Sequence, residues 1–406
     1  MVVKFTLNNG TRCIINDIKC FNTLCIIILF GVGSRHEPPG FHGIAHFIEH
    51  MLFKGTTKYN STEISQLITK NGGKINAFTS NEHTGYYIII DKNKLEIACE
   101  LLSDMIYNPC LTAIETEKTI IIAENKMRDS SPSHRAMEET MKSVFTGSGL
   151  EHSIGGSTTQ IKNFNLKKIL TFMQQYYCNQ NMIISISGNV PNKCRSIISK
   201  YFSNKLHFNM NLPQLKYKLK LQHNPRIKRI KMPTEHSFIY MSFPTYGIRD
   251  KRISIVDCIG TIFAGNMNSR LFLQLREKCG LVYSVRYSTN FFYNEGLFTI
   301  YCSTAHSNVA KCIKIIKSVI TNTINNNIDT DELNDAKNYM IGDINQIIED
   351  TKKTALYYAC QLINTGKIQN INREINIINK INIKDINIVM KELFNWNHMS
   401  LIIICP

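Results

Sequence analysis

The chain has 406 residues, more than one hydrophobic core usually serves, so two or three domains are expected. Hydrophobic residues make up 43% and charged residues 19% of the sequence, which excludes wholesale disorder. The net charge of +16 comes with heavy use of lysine, isoleucine and asparagine but with no groove-reading or base-stacking motif, so we expect no nucleic-acid partner.

The thirteen cysteines contain no CxxC pair. This pattern argues against a disulfide framework and for free thiols in a reducing compartment. The amino terminus has no basic-then-apolar leader, and the early apolar stretch over residues 24–32 is far shorter than the ~20 residues of a membrane-spanning helix. We therefore expect a cytoplasmic protein without a membrane span.

The first element that carries chemistry is a predicted helix with His46, Glu49 and His50. It follows a strand-like run over residues 25–31 and the turn Pro38-Pro39-Gly40. At roughly 100° per residue the three side chains share one face. Two imidazoles one turn apart can bind a single Zn²⁺ while the carboxylate reaches a water on the metal. His42, one turn earlier, is the alternative ligand, and we expect it to be a bystander at the helix start.

The next predicted elements alternate helix and strand. Ser61 is expected to cap a helix that ends at Gly72-Gly73, and a strand-like run follows over residues 85–90. A helix over residues 113–128 then carries Glu117 and Glu124, seven residues apart and so on one face, with isoleucines beside them. Zinc needs a third protein ligand to leave one catalytic position open, and spacing allows either glutamate.

The end of the first half and the carboxyl terminus share one layout, a helix end, a polar turn and a buried strand. The matching residues are Met173, Tyr177 and Met182 in the first copy and Met390, Phe394 and Met399 in the second. This spacing indicates an internal duplication. We expect an α+β fold of two duplicated α/β sandwich domains, each a mixed, mainly antiparallel sheet covered by helices. The expected boundaries are 1–207 for the metal-binding domain, 208–224 for a linker and 225–406 for the second domain.

HFIEH at 46–50, MLFKGT at 51–56 and ETEKTIIIAE at 115–124 together resemble the inverzincin zinc metallopeptidases. The resemblance is to the pitrilysin and mitochondrial processing peptidase type, in particular the catalytic beta-like subunit and bacterial processing peptidases. It spans nearly the whole chain. It implies one Zn²⁺ per chain with His46, His50 and Glu124 as ligands, Glu49 as general base, and Glu117 as a carboxylate that supports the site.

Two further segments resemble that family. GGKINAFT at 72–79 is similar to its substrate-binding strand, which implies that Asn76, Ala77, Phe78 and Thr79 bind substrate, with Phe78 as a pocket wall. A core β-hairpin is the alternative. SRLFLQLREKCGLVY at 269–283 is similar to the block that supplies Arg276 and Tyr283, which implies that Tyr283 donates to the oxyanion and Arg276 orients it or holds the substrate backbone. The alternative is a buried arginine with a core tyrosine.

The second copy has neither histidine nor glutamate over residues 259–265, so one chain carries one metal site. The expected function is a zinc endopeptidase that cleaves short or unfolded polypeptides, by attack of a metal-bound water. A non-catalytic scaffold or companion subunit of the same fold is the alternative. In the mitochondrial catalytic subunit that the chain resembles, acidic residues favour arginine near the cleavage site. Lys142 and Thr146 fall near where those acidic residues are expected, so we expect broader specificity. A homodimer in a bacterial cytoplasm is expected, and a heterodimer with a zinc-free partner is the alternative.

Overall fold

The structure is a computed structural model that describes residues 2–204 and 224–406. Its strands are β1 (Val2–Thr6), β2 (Arg12–Asp17), β3 (Thr23–Phe30), β4 (Lys74–Thr79), β5 (Thr84–Asp91), β6 (Met182–Gly188), β7 (Arg226–Lys231), β8 (Ser237–Tyr246), β9 (Val282–Phe291), β10 (Glu295–Thr304) and β11 (Ser400–Cys405). Its helices are α1 (Ile44–Met51), α2 (Ser61–Lys70), α3 (Leu95–Tyr107), α4 (Ile114–Asp129), α5 (Pro132–Val144), α6 (Thr158–Lys162), α7 (Leu166–Tyr176), α8 (Cys194–Phe202), α9 (Ile253–Ala264), α10 (Arg270–Phe272, continued by a π-helical turn over Leu273–Lys278), α11 (Val309–Asn326), α12 (Thr330–Ile348), α13 (Thr351–Thr365), α14 (Ile371–Asn379) and α15 (Ile383–Leu393).

These elements form two compact units. Of the described residues, the first unit contains 2–126, 152–204 and 346–369, and the second contains 127–151, 224–345 and 370–406. Each unit thus includes a helix from the other half of the sequence, α13 in the first and α5 in the second. The sequence-based division at 1–207 and 225–406 stays a prediction, and the predicted linker lies outside the described residues except for residue 224.

The first unit is built on a six-stranded sheet in the order β1-β2-β6-β3-β5-β4. Among its described strands, β2 and β6 are parallel and every other neighbouring pair is antiparallel. The central strand β3 is buried from its second residue onward because helices cover both of its faces. Helices α1, α3 and α7 pack on one face, and Ala355, Tyr358 and Leu362 of α13 pack on the other.

The second unit repeats this plan with a five-stranded sheet in the order β7-β11-β8-β10-β9. Its described strands again include one parallel pair, β7 with β11, at the equivalent place. Helices α9, α11 and α15 pack on one face, and Ala136 of α5 packs against Tyr240 and Ile402 on the other. Two mixed, mainly antiparallel sheets covered by helices confirm the expected fold class.

The helix ends that predicted the duplication are equivalent in the two units. Tyr177 follows α7 and donates its backbone N–H to the carbonyl of Met173 at 2.8 Å. Phe394 follows α15 and donates in the same way to Met390 at 3.0 Å. The aromatic residue therefore closes the same helix in each copy.

The predicted cap of α2 is wrong by one residue. Ser61 is the first residue of the helix, and Asn60 is its cap. The side chain of Asn60 accepts the N–H groups of Thr62 and Glu63, each at 3.0 Å, and Glu63 accepts the N–H of Asn60 in return at 2.8 Å. This reciprocal capping box satisfies donors that Ser61 alone would leave open.

The state of the cysteines and the length of the apolar helices bear on where the protein can function. All thirteen cysteines lie within the described residues and are free thiols, and most of them are buried. Within residues 2–204 and 224–406, no helix is both long enough and apolar enough to cross a membrane.

Candidate metal centre

Helix α1 starts at a buried carboxylate. Gly43 caps the helix at φ 97°, a left-handed conformation that favours glycine. Glu37 accepts the N–H of Gly43 at 2.7 Å and of Ala45 at 2.8 Å. Burial raises the pKa of Glu37 to about 8, against the opposing effect of these two hydrogen bonds. Sequence reasoning missed Glu37 because it lies six residues before Gly43, and a loop brings its carboxylate to the helix start.

Three possible ligands converge from α1 and α4. Nε2 of the buried His46 lies 3.8 Å from Oε1 of Glu124, and Nε2 of His50 lies 3.4 Å from Oε2 of the same carboxylate. The ligand atoms of all three residues lie within 4.8 Å of one another. Zinc bonds of ~2.0–2.1 Å in tetrahedral geometry separate ligand atoms by about 3.3–3.5 Å. Two imidazoles and one carboxylate at these distances fit a Zn²⁺ ion.

The two glutamates of α4 face different nitrogens. Glu117 is fully buried, and its Oε2 lies 3.1 Å from Nδ1 of His50, on the side of the ring away from Glu124. Its Oε1 lies 2.6 Å from Nζ of Lys54. A carboxylate on Nδ1 holds the imidazole in the tautomer that leaves Nε2 open to a metal. Sequence reasoning missed Lys54, because it lies beyond the end of α1 and its partner is on α4.

Glu49 lies on the same helix beside a threonine and two tyrosines. The hydroxyl of Thr79, at the end of β4, donates to Oε2 of Glu49. The hydroxyls of Tyr86 and Tyr177 lie 3.1 Å apart. Burial raises the pKa of both tyrosines well above their usual range, and the negative charge of Glu49 adds to this effect. Both phenols therefore stay protonated beside the carboxylate.

The predicted substrate strand is β4, at the edge of the first sheet. The backbone N–H of Ala77 donates to Oδ1 of Asn76 at 2.8 Å, in an exposed position that marks it as an edge-facing donor. Phe78 alternates to the other face, where its ring covers Gly85 and packs in the layer of α13. The role of Phe78 as a pocket wall stays a prediction, and this packing gives it no support.

His42 stacks on another imidazole at the start of α1. Its ring centroid lies 3.6 Å from that of His152, with the planes 26° apart. Among the described residues, the ligand group of His46, His50 and Glu124 does not include it. This placement agrees with a bystander role for His42.

Arg276 and Tyr283 lie together in the second unit. The guanidinium carbon of Arg276 is 5.0 Å from the ring centroid of Tyr283. Tyr283 is 80% exposed, so the alternative of a core tyrosine is wrong. Helix α9 of this unit carries neither histidine nor glutamate.

Each half of the chain matches a model of a known protein family. Residues 21–158 match the family model described as insulinase (peptidase family M16). Residues 163–340 match the model described as peptidase M16 inactive domain. The first match contains the ligand group, and the second contains Arg276 and Tyr283.

Similar proteins match this chain over most of their length. The chain is 27% identical over 412 residues to the uncharacterized zinc protease YmxG of Bacillus subtilis, covering 100% of this chain and 98% of that protein. It is 31% identical over 320 residues to an uncharacterized zinc protease of Rickettsia felis, covering 78% of this chain and 76% of that protein. A crystal structure of a protease from Helicobacter pylori superposes with a TM-score of 0.95 at 21% identity, covering 100% and 99% of the two chains.

Proposed function

The chain belongs to peptidase family M16, and we propose that it is a zinc-dependent endopeptidase that hydrolyses peptide bonds in short or unfolded polypeptides. The observation that carries this proposal is the convergence of His46, His50 and Glu124 within 4.8 Å. Glu49, on the same helix, supplies the base that hydrolysis needs. Relatives that bear the name zinc protease support both the metal and the reaction class.

In the proposed reaction His46, His50 and Glu124 hold Zn²⁺, which when bound supplies a Lewis acid that polarises a peptide carbonyl and acidifies water. Glu49 accepts the proton of the attacking water and then delivers it to the nitrogen of the leaving amine. The hydroxyl of Thr79 orients the Glu49 carboxylate by donating to one of its oxygens. Glu117 orients the ring of His50 through its contact with Nδ1.

Arg276 and Tyr283 are proposed to act on the substrate carbonyl. The exposed Tyr283 hydroxyl would donate to the oxyanion as charge develops there, a contribution whose loss typically costs ~10²–10³ in rate. The guanidinium of Arg276, whose carbon lies 5.0 Å from the centroid of the Tyr283 ring, would hold that ring or the substrate backbone. The substrate itself would extend the first sheet beside β4, with Asn76, Ala77 and Thr79 nearest to it.

The proposal extends to the oligomeric state of the protein, its location in the cell and its peptide specificity. We propose a homodimer, with a heterodimer of this chain and a zinc-free partner as the alternative outcome of a mass measurement. Thirteen free thiols are typical of a reducing compartment, and the similar proteins are bacterial, which supports a bacterial cytoplasmic location. Without a strict arginine preference, the enzyme is proposed to accept varied peptide sequences.

The test is cleavage of a quenched fluorescent peptide library by the wild-type protein and by Glu49→Gln. We expect the variant to retain one zinc per chain and to lose activity by ~10²–10⁴, the usual contribution of a general base. Glu115→Gln, an exposed change on α4, should keep full activity. Near-wild-type activity in Glu49→Gln would contradict the mechanism. Absence of cleavage by a zinc-loaded wild type would favour a scaffold or a missing companion subunit.

A further inference from the structure

Asn125 follows Glu124 on α4 and is bonded to a loop from a later part of the chain. Its Nδ2 donates to the carbonyl of Gly155 at 3.0 Å and to that of Gly156 at 3.1 Å. One amide group therefore ties α4, at the residue beside Glu124, to two consecutive carbonyls. No motif that predicted the metal site includes Asn125 or this loop.

The same loop touches the start of α1 backbone to backbone. A Cβ on Gly156, which has φ +69°, would lie 2.3 Å from the carbonyl oxygen of His42. A Cβ on Gly43 would lie 2.7 Å from Cα of Gly156, and a Cβ on Gly155 would lie 2.1 Å from Oδ1 of Asn125. The backbone contacts at Gly43 and Gly156 leave no room for a side chain, whereas a side chain at Gly155 would displace the Asn125 amide from its position.

The loop is consequently in contact with both helices that carry the ligand group. On one side it packs against Gly43, three residues before His46, and on the other it binds Asn125, one residue after Glu124. The zinc site needs the carboxylate from α4 to keep its position relative to the two imidazoles from α1 with a tolerance of about 0.5 Å. Because separate segments of the chain supply these ligands, a third element that is packed against one and hydrogen-bonded to the other can set their separation.

We propose that Asn125 is a positioning residue for the metal centre, which holds Glu124 in register with His46 and His50 through the carbonyls of Gly155 and Gly156. The inference rests on the proposed function, since it takes Glu124 to be a zinc ligand. Among the described residues, the ligand group does not include Asn125, and the Asn125 amide is bonded to the loop, so its proposed effect on the metal passes through Glu124. Outer residues that orient metal ligands typically contribute 10–100-fold to metal affinity.

The test measures the dissociation constant for Zn²⁺ by competition with a chelator, together with thermal unfolding of the zinc-free chain. Asn125→Ala is expected to weaken zinc binding by about 10–100-fold. Asn71→Ala is the matched control, because Asn71 also donates from a part-buried amide to a backbone carbonyl, that of Leu67 at 2.8 Å within α2. The zinc-free form of Asn125→Ala should unfold no more than a few degrees below that of the control.

Asn125→Asp separates positioning from charge. The aspartate keeps the shape of asparagine but donates no hydrogen bond to the two carbonyls, while its negative charge by itself would attract Zn²⁺. We expect weaker zinc binding in this variant as well. Zinc affinity equal to wild type in Asn125→Ala, or tighter binding in Asn125→Asp, would overturn the inference and leave the proposed function intact. A wild-type chain that binds no zinc would overturn both.

Discussion

Glu117 and Glu124 share one face of α4, yet their surroundings give them different chemistry. The Glu124 side chain is 34% exposed and faces the Nε2 atoms of both histidines. The Glu117 side chain has no exposed surface and lies between His50 and Lys54. A buried carboxylate that is paired with a lysine is better suited to orient the His50 imidazole than to serve as a metal ligand. The seven-residue spacing alone does not show which of the two glutamates faces the possible metal position.

Replacement of Glu117 by glutamine should weaken the metal site without unfolding it. The amide retains an oxygen for Nδ1 of His50 but no longer neutralises Lys54, so we expect the dissociation constant for Zn²⁺ to rise by about 10–100-fold. Chelator competition measures this change. Glu115→Gln is the control on the same helix, since the Glu115 side chain is 84% exposed. Equal zinc affinity in the two variants would mean that Glu117 does not contribute to metal binding.

Glu37 predicts a particular pH dependence of stability. Burial raises its pKa from 4.5 in the unfolded chain to about 8, so the native state binds the proton more tightly. The stability contributed by this group is complete below pH 4.5 and is lost as the pH rises through 8. The free energy of unfolding should therefore fall by at most ~1.4 kcal/mol per pH unit between these values.

Urea denaturation of the zinc-free wild type and of Glu37→Gln from pH 5 to pH 8 tests this prediction. Glutamine does not titrate, so any advantage of the wild type over the variant should shrink steadily as the pH rises. The histidines are common to both proteins and cancel in the difference. A difference that stays constant over this range would mean that Glu37 is ionised throughout.

Sequence alone could predict the residues whose placement depends on a single helix. His46, Glu49 and His50 share a face by helical periodicity, whatever the rest of the chain does. Lys54, Glu37 and Asn125 were missed because their partners are fixed by loops and by the packing of one segment on another. The partner of Thr79 was missed for the same reason, since nothing local brings β4 to α1.

At the scale of the element, strand β4 gives the clearest prediction about substrate. Ala77→Pro removes an N–H from the open edge while leaving the bonds to β5 in place, because proline is tolerated where the donor faces outward. We expect kcat/KM for extended peptides to fall about 2–10-fold, the value of one hydrogen bond. Ala77→Gly keeps the N–H and is the control. Cleavage by Ala77→Pro at the rate of the glycine variant would place the substrate elsewhere.

The duplicated sheets were predictable, whereas the exchange of helices α5 and α13 was not. Repeated spacing of methionines and aromatics reports the local order of helix, turn and strand in each copy. An amphipathic helix shows which of its faces is buried but not which sheet covers that face. Ala355 and Leu362 belong to the second half of the sequence, yet they pack on the first sheet.

At the scale of the whole molecule, the number of HxxEH motifs in each chain bears on how chains would assemble. The chain carries the family's HxxEH motif once, and it carries one Arg276 and Tyr283 pair. The proposed function requires this pair to act at a zinc site, and in the proposed homodimer the pair could come from a second copy of the chain. If the pair of one protomer serves its partner, dimerisation is required for activity, since a monomer would lack the oxyanion donor.

A mixture of Glu49→Gln and Tyr283→Phe chains tests this arrangement. Each variant alone should be inactive or nearly so. After the subunits exchange, half of the dimers are mixed, and one of their two sites has both residues intact if the pair acts across the interface, so we expect about a quarter of wild-type activity. Differently tagged chains recovered together would show that mixed dimers form. Mixed dimers without restored cleavage would mean that Glu49 and Tyr283 act within the same chain.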